Sequence, residues 1–213
     1  ELAPALRKQI RYRVSGSENA DDIAEGREQA LAIVKGKSVE ELKQACREIV
    51  DNRMLQKSYA DTIELASMHL AAGQQVWLVS ATPVQIGQAL AETLGFTGAL
   101  GTVAEEEDGK FTGRLVGDIL HGPGKKHAVA ALAALQQLDL SKCTAYSDSV
   151  NDLPMLNMVG SPVAVNPDRA LRKHAKAQGW AVRDYRSVRR VMRAGVVPAV
   201  LAAAGLWWWR RRR

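Results

Sequence analysis

Two aspartates four residues apart, Asp148 and Asp152, have the side chains and the spacing to bind a divalent cation. The flanking sequence predicts a short buried strand over residues 143–147 and the start of a helix over residues 152–159. In an open parallel sheet, ligands bind at the carboxyl ends of the strands. Hard oxygen ligands there suit Mg²⁺, which keeps several waters and accepts phosphate as a further ligand. The alternative is a capping aspartate followed by a first-turn acid that the helix dipole favours.

An apolar run upstream ends in hydroxyl side chains that could hold a phosphate. Residues 76–80 predict a strand, and Pro83 is placed to open the next helix. The hydroxyls of Ser80 and Thr82, together with backbone N–H groups such as that of Ala81, would cradle a phosphate at this junction. Simple capping by one of the two hydroxyls is the alternative.

A glycine-rich segment, Gly-Pro-Gly-Lys-Lys-His, covers residues 122–127 and precedes a helical pattern over residues 128–138. The ammonium group of Lys125 could reach a phosphoryl oxygen and offset the repulsion among carboxylates and phosphate. Lys126 is a rival that its spacing to the following helix disfavours. The alternative for this segment is an exposed basic turn.

In chain order, the strand ending at Ser80, the segment with Lys125 and the strand leading to Asp148 and Asp152 resemble three motifs of one family. They resemble the second, third and fourth motifs of the haloacid dehalogenase (HAD) superfamily, and most closely its subfamily IB, the phosphoserine-phosphatase-like branch. The resemblance covers nearly the whole chain, and the segments most similar to actinobacterial members are residues 71–83, 98–104, 111–122 and 144–152.

The resemblance implies an α/β fold, with a HAD-like Rossmannoid parallel sheet and an N-terminal helical cap. It also implies a Mg²⁺-dependent phosphomonoester hydrolase that acts on a small phosphorylated metabolite through an aspartyl-phosphate intermediate. Ser80 and Lys125 would be the catalytic residues carried by this chain, and both would bind the substrate phosphoryl group together with Ala81.

The same resemblance assigns the metal ligands. Asp148 would be the direct Mg²⁺ ligand, and Asp152 would hold the metal shell directly or through water. Asn151 is a weaker candidate for the same shell.

One part of the family pattern is missing from the sequence. The family's first motif is an apolar strand ending Asp-x-Asp-x-Thr or Asp-x-Asp-x-Val, which supplies the nucleophile and the acid/base. No pair of aspartates with that spacing and a following Thr or Val occurs in the chain. We therefore expect the first strand to be absent, the chain to begin just after its nucleophile, and this chain alone to be inactive. The alternative is a non-catalytic module that binds phosphate and Mg²⁺ and docks on a membrane or a partner through its tail.

The elements that would position these residues follow a simple order. Capping signals at Ser38, Glu41 and Gly73 help to define a series of helices near residues 1–13, 19–35, 38–52 and 56–72. After these, strands alternate with helices, which is typical of βαβ units, except that Asp108-Gly109 favours a type I′ hairpin. We expect a helical cap over residues 1–73, an α/β core over 74–185 and a basic, apolar tail over 186–213.

The net charge of +6 is concentrated towards the C-terminus, since nine arginines fall within residues 183–213. An apolar run over residues 194–209 ends in three tryptophans and is short for a membrane span, which needs about 20 residues. Tryptophans beside arginines suit an anionic membrane surface, and a helix docked on the sheet is the alternative. The basic residues do not line a groove with interleaved aromatics, so we expect no nucleic-acid partner.

Composition sets the remaining bounds. A chain of 213 residues with 46% hydrophobic content can bury the core of one α/β domain and a small cap. Cys46 and Cys143 are too few for a disulfide scaffold or a metal site, which indicates a reducing compartment. We therefore expect a cytoplasmic protein, peripheral on the inner face of the membrane if the tail over residues 194–213 is an anchor.

Overall fold

The computed structural model describes residues 20–57 and 60–185. Helices form its first part: α1 (Ala20–Val34), α2 (Val39–Ile49) and α3 (Ala60–Ala71), with a π-helical turn at Val50–Met54 and a 3₁₀ turn at Leu55–Lys57 before α3. Three of the four predicted helices are thereby confirmed. The helix predicted near residues 1–13 and the tail predicted over residues 186–213 lie outside the described residues.

Strands and helices alternate from Trp77 onward, as the sequence predicts. In chain order the elements are β1 (Trp77–Pro83), α4 (Val84–Leu94), β2 (Gly98–Thr102), β3 (Ala104–Glu107), β4 (Lys110–Leu115), α5 (Pro123–Leu135), β5 (Thr144–Ser147), α6 (Leu153–Leu156), β6 (Ser161–Val165), α7 (Arg169–Ala177) and β7 (Ala181–Arg183). Single 3₁₀ turns cover Leu140–Lys142 and Val150–Asp152.

The strands form two parallel groups and one hairpin. β1 pairs in parallel with β2, and β5, β6 and β7 form a parallel sheet in that order, with Ser147 opposite Ala164. β3 and β4 are antiparallel. Parallel strands separated by helices confirm the predicted α/β class. Within the described part of the chain, β1 and β5 are not hydrogen-bonded to each other.

The hairpin turn has the predicted type. Asp108 and Gly109 both have positive φ, 49° and 73°, and Glu107 pairs with Lys110 across them. A two-residue turn with both central residues in the left-handed region is a type I′ turn, whose twist matches that of the flanking strands. Glycine adopts that region freely and aspartate tolerates it better than most residues.

Two helix boundaries differ from the sequence prediction. α5 begins at Pro123 and not near residue 128, because proline at the first helical position has a suitable φ and needs no N–H partner. Lys125 therefore lies in the first helical turn and not in a loop. The helix predicted over residues 152–159 is also shorter, since α6 ends at Leu156.

The N-terminal helices are tied to the hairpin by the segment between α1 and α2. Gly36 N donates to Phe111 O at 2.7 Å, Phe111 N donates to Lys37 O at 3.1 Å, and Val39 N donates to Gly109 O at 3.0 Å. This segment extends the hairpin as a short third strand in its hydrogen bonding. The side chain of Phe111 is 2% exposed, which adds apolar burial to the junction.

A buried apolar core packs against the β5–β6–β7 sheet. Val79 of β1 packs against it, so the two parallel groups share apolar contacts. The buried cluster comprises Met155, Leu156, Ala164, Leu171 and Ala175. Neither cysteine forms a disulfide, and burial raises the pKa of the Cys46 thiol. No helix within residues 20–57 and 60–185 is long and apolar enough to cross a membrane.

Candidate active site

The acidic loop, residues 147–152, leaves the carboxyl end of β5 and turns back at once. Ser147 ends the strand, and Asp148 follows it in an exposed position. Ser149 caps the 3₁₀ turn Val150–Asp152, since its hydroxyl accepts a hydrogen bond from Asn151 N at 3.3 Å. This local turn brings Asp152, which is only 6% exposed, back beneath the end of the strand.

Asp152 forms an ion pair with Lys125 that is largely shielded from water. Lys125 Nζ lies 2.8 Å from Asp152 Oδ1 and 2.9 Å from Asp152 Oδ2, and the side chains are 14% and 9% exposed. Ser147 Oγ donates to the same Oδ2 at 2.7 Å and accepts a hydrogen bond from Ser149 N at 3.1 Å. A carboxylate in such a place is stable only because its charge is compensated by these contacts.

The glycines before Lys125 allow α5 to begin close to the acidic loop. Gly122 is buried and has φ 48° and ψ −115°, a conformation that residues with a side chain rarely adopt. A Cβ at Gly124 would lie 3.1 Å from Ile119 O, tighter than an ordinary contact. Both positions therefore favour glycine because of the backbone path that presents Lys125 to Asp152.

The predicted phosphate-binding turn, residues 80–82, forms the last part of β1, where the pairing with β2 is irregular. The strand therefore continues beyond Ser80 to Pro83, which is the cap of α4 and not its first residue. Ser80 Oγ accepts hydrogen bonds from Thr82 N at 3.2 Å and from Thr82 Oγ1 at 3.1 Å, so the turn is held by its own side chains. Thr102 Oγ1 donates to Ala81 O at 2.8 Å and accepts from Leu120 N at 3.1 Å. The turn is thereby tied to β2 and to the segment that leads into α5.

The predicted site residues are thus brought together in part. Lys125 and Asp152 are in direct contact, and Asp148 and Asn151 lie on the same loop as Asp152. Ser80 and Ala81 lie at the end of β1, which is tied through Thr102 to the segment before α5. Lys126, the rival of Lys125, is exposed.

Residues 1–157 match the sequence model of a protein family that is described as haloacid dehalogenase-like hydrolase. The chain belongs to this family. The resemblance noted from the motifs of this HAD-like chain is confirmed. Among its relatives, phosphoserine phosphatase SerB1 of Mycobacterium tuberculosis H37Rv is 53% identical over 201 residues, and a putative hydrolase of Mycobacterium leprae is 51% identical over 197 residues. The matches cover 94% and 92% of this chain, which spans 65% of the length of each relative.

Solved structures agree on the fold of this HAD-like chain. A protein of unknown function from Bordetella pertussis Tohama I is 31% identical, with a TM-score of 0.71 over 84% of this chain and 79% of that one. A substrate-bound phosphoserine phosphatase is 19% identical, with a TM-score of 0.56 over 89% of this chain and 84% of that one. At that identity the second similarity shows the fold alone.

HAD phosphatases generally use Mg²⁺, and the oxygen donors of this HAD-like chain are of the kind that Mg²⁺ prefers. Both oxygens of Asp152 are held by Lys125 and Ser147, and Asp148 is exposed at the strand end. Across the two described ranges, no group of three or more His, Cys, Asp or Glu side chains is arranged to hold a metal. The donor atoms, which are oxygens, fit Mg²⁺ in kind.

Sequence reasoning missed two residues that shape this HAD-like site. Ser147 joins Asp152 to the acidic loop through the two hydrogen bonds of its hydroxyl. Asp168 caps α7 and also bonds to the main chain of Asp148 and Val150. Asp168 has a cap signal in the sequence, because an aspartate before a helical pattern favours that role. Its second contact, 18 residues back at Val150, has no local signal.

A separate contact joins α3 to β5 on the strand that carries the site. His69 Nε2 and Tyr146 OH are 2.6 Å apart, and their rings pack edge to face with centroids 5.6 Å apart. Burial raises the pKa of Tyr146, and its hydroxyl can donate to the imidazole. This contact anchors the last helix before β1 to the strand that leads to Asp148.

Proposed function

We propose that the chain is the phosphate- and Mg²⁺-binding part of a HAD-type phosphatase that hydrolyses a small phosphomonoester through an aspartyl-phosphate intermediate. The observation that supports this proposal best is the shielded Lys125–Asp152 pair beside Asp148, at the carboxyl end of a parallel strand. Ligands of open α/β sheets bind at that edge. The name of one mycobacterial relative, phosphoserine phosphatase SerB1, supports a phosphoserine-like substrate class.

Each site residue has a role in this proposal. Ser80 donates its hydroxyl proton, and Ala81 its backbone N–H, to the phosphoryl oxygens. Lys125 supplies a positive charge that Asp152 and Ser147 hold in one orientation. A fixed charge aimed at a phosphoryl group stabilises its transition state without reorganisation.

The proposed metal ligands act on the same phosphoryl group. Asp148 binds Mg²⁺ directly, while Asp152 and, more weakly, Asn151 hold its water shell. The ion, when bound, supplies a Lewis acid that neutralises charge on the phosphoryl oxygens. This chain's contribution is to fix the carboxylates on a short loop, so that their mutual repulsion is offset by Lys125.

We further propose that turnover needs a nucleophile that this chain does not supply. None of its aspartates has the family spacing, and in the described residues the β1 and β5 edges are not bonded to each other. A strand that carries the aspartate pair would fit between these edges and complete one parallel sheet. The chain alone would then bind phosphate and Mg²⁺ without hydrolysing an ester.

The division of the chain follows from the same proposal. Residues 1–73 would form the cap that closes over the phosphate site, residues 74–185 the core that carries the site, and residues 186–213 the tail. A cap of this kind excludes water from the reaction and contacts the rest of the substrate.

Phosphate binding by the chain tests the central proposal. We would titrate inorganic phosphate in the presence of Mg²⁺ by calorimetry into the full chain, Lys125→Met and Lys126→Met. Binding should weaken at least about 10-fold in Lys125→Met, because a charge-assisted contact to phosphate is lost. Lys126 is exposed, so Lys126→Met is a matched control, and its affinity for phosphate should not change. No phosphate binding by the unmodified chain would refute the proposal.

A second variant tests whether Asp148 is the Mg²⁺ ligand. Asp148→Asn should lose most Mg²⁺ affinity, because it removes the negative charge that would bind the ion, and it leaves the packing unchanged because the position is exposed. Unchanged Mg²⁺ affinity in this variant would mean that Asp148 is not the ligand.

One further result decides whether the chain supplies its own nucleophile. The chain should show no Mg²⁺-dependent hydrolysis of p-nitrophenyl phosphate. Turnover that Asp148→Asn abolishes would instead mean that the nucleophile lies within the chain.

A further inference from the structure

Asp168 makes three hydrogen bonds that join two separate parts of the site. Its backbone N donates to Asp148 O at 2.8 Å, and its Oδ2 accepts from Val150 N at 2.8 Å. Its Oδ1 accepts from Leu171 N at 2.7 Å, which caps α7. The same residue therefore grips the acidic loop on both sides of Ser149 and holds it to the start of a helix.

The residues before Asp168 give it a fixed position. Asn166 is 4% exposed and has φ 47°, which turns the chain sharply after β6. Its backbone N donates to Arg183 O at 2.7 Å, and its Oδ1 accepts from Tyr185 N at 2.8 Å. Because this turn is bonded to β7 and to the residues after it, Asp168 is anchored by the sheet and not by the loop that it holds.

We propose that Asp168 is a positioning residue for the metal site, an inference that rests on the proposed function. It fixes the main chain at Asp148 and Val150, so that the carboxylate of Asp148 meets a cation in one orientation. A short exposed loop has several backbone states available, and holding the main chain at Asp148 and Val150 reduces the ordering that metal binding requires. Residues that orient metal ligands in this way commonly change metal affinity by about 10–100-fold when replaced.

One substitution separates this role from helix capping. Asparagine is as good an N-cap as aspartate, so Asp168→Asn can keep the bond from Leu171 N through its one amide oxygen. Its amide nitrogen cannot accept the second bond from Val150 N. The variant therefore keeps the cap of α7 and the backbone bond to Asp148 O, and it loses only the side-chain bond from Val150 N.

The test uses Mn²⁺ as the probe, with its affinity for the full chain measured by electron paramagnetic resonance well below the unfolding temperature. Asp168→Asn should weaken Mn²⁺ binding about 10-fold, and hydrogen exchange at the Val150 amide should become faster. Asp139→Asn is the matched control, because Asp139 caps the 3₁₀ turn Leu140–Lys142 before the amino end of β5. Its Mn²⁺ affinity should equal that of the unmodified chain.

Asp168→Glu separates positioning from simple charge attraction. It keeps the negative charge but moves the carboxylate by one methylene group, so positioning predicts weakened Mn²⁺ binding in this variant too. Wild-type affinity in Asp168→Glu, with loss only in Asp168→Asn, would mean that charge alone acts and would overturn the inference. Unchanged affinity in Asp168→Asn would overturn it as well, with the proposed metal site intact. An unmodified chain that binds no Mn²⁺ would overturn the proposed metal site and this inference together.

Discussion

Replacing Lys125 by methionine should destabilise the fold strongly, because it leaves the charge of Asp152 without its partner. The two side chains are 14% and 9% exposed, and Lys125 Nζ contacts both carboxylate oxygens at 2.8 and 2.9 Å. Removing one partner of a buried ion pair typically costs about 3–5 kcal/mol. Ser147 still donates to Asp152 Oδ2 at 2.7 Å in the variant, so we expect a loss at the lower end, about 3 kcal/mol. For a chain of this size that loss lowers the unfolding midpoint by about 6–12 °C.

Urea unfolding of three variants measures this energy. Lys125→Met, Asp152→Asn and the double variant form a thermodynamic cycle, in which the double variant should be more stable than Lys125→Met because no charge is then stranded. Lys142→Met is the matched control, since Lys142 Nζ lies 3.5 Å from Asp139 Oδ2 and the side chains are 83% and 53% exposed. Exposed pairs contribute little, so its midpoint should not change measurably. A Lys125→Met variant as stable as this control would refute the reasoning.

Three further outcomes are expected. Cys46 is buried and its thiol has a raised pKa, so iodoacetamide at neutral pH should alkylate it far more slowly than the half-buried Cys143. Peptide mass spectrometry measures both rates, and equal rates would contradict this expectation. The Thr112 hydroxyl holds the pKa of Glu105 below its usual value, so Thr112→Val should raise that pKa in a carbon NMR titration. Because a carboxyl with a lowered pKa stabilises the fold above its unfolded pKa and loses this effect as pH falls through its folded pKa, the variant should also lose less stability in that acid range. Deleting residues 194–213 should release the chain from anionic vesicles in a sedimentation assay, and equal binding with and without them would refute the predicted membrane anchor.

Much of the local structure could be predicted because its causes are local. Ser38 caps α2 as expected, accepting a hydrogen bond from Glu41 N. Asp108 and Gly109 form the predicted turn since few residue pairs accept two successive positive φ values. The sequence predicts the start of α5 too late in the chain, because glycine usually marks a loop. In the structure Pro123, directly after Gly122, begins the helix.

The family and the chemistry of the candidate site also follow from the sequence. Hydroxyl, ammonium and carboxylate groups each fall near the end of a predicted strand or before a predicted helix, and the resemblance to the HAD motifs marks which of them belong to one site. Ser80, Lys125, Asp148 and Asp152 could therefore be chosen before any contact was known. Parallel strands then imply that the groups at β1 and β5 lie at one edge of the fold.

Which of these groups touch was decided only by the tertiary structure. Lys125 meets Asp152 across 27 residues, and Asp168 reaches Val150 across 18 residues. Such contacts depend on the register of β5 against β6, on the residue at which α5 begins and on the turn at Asn166. Each of these is set by packing among distant elements, and a shift of about one residue in any of them moves a side chain by roughly 3 Å along a strand, beyond hydrogen-bond reach. The amino-acid sequence thus determined which chemical groups the site contains, and packing decided that a carboxylate holds the lysine and that Asp168 holds the acidic loop.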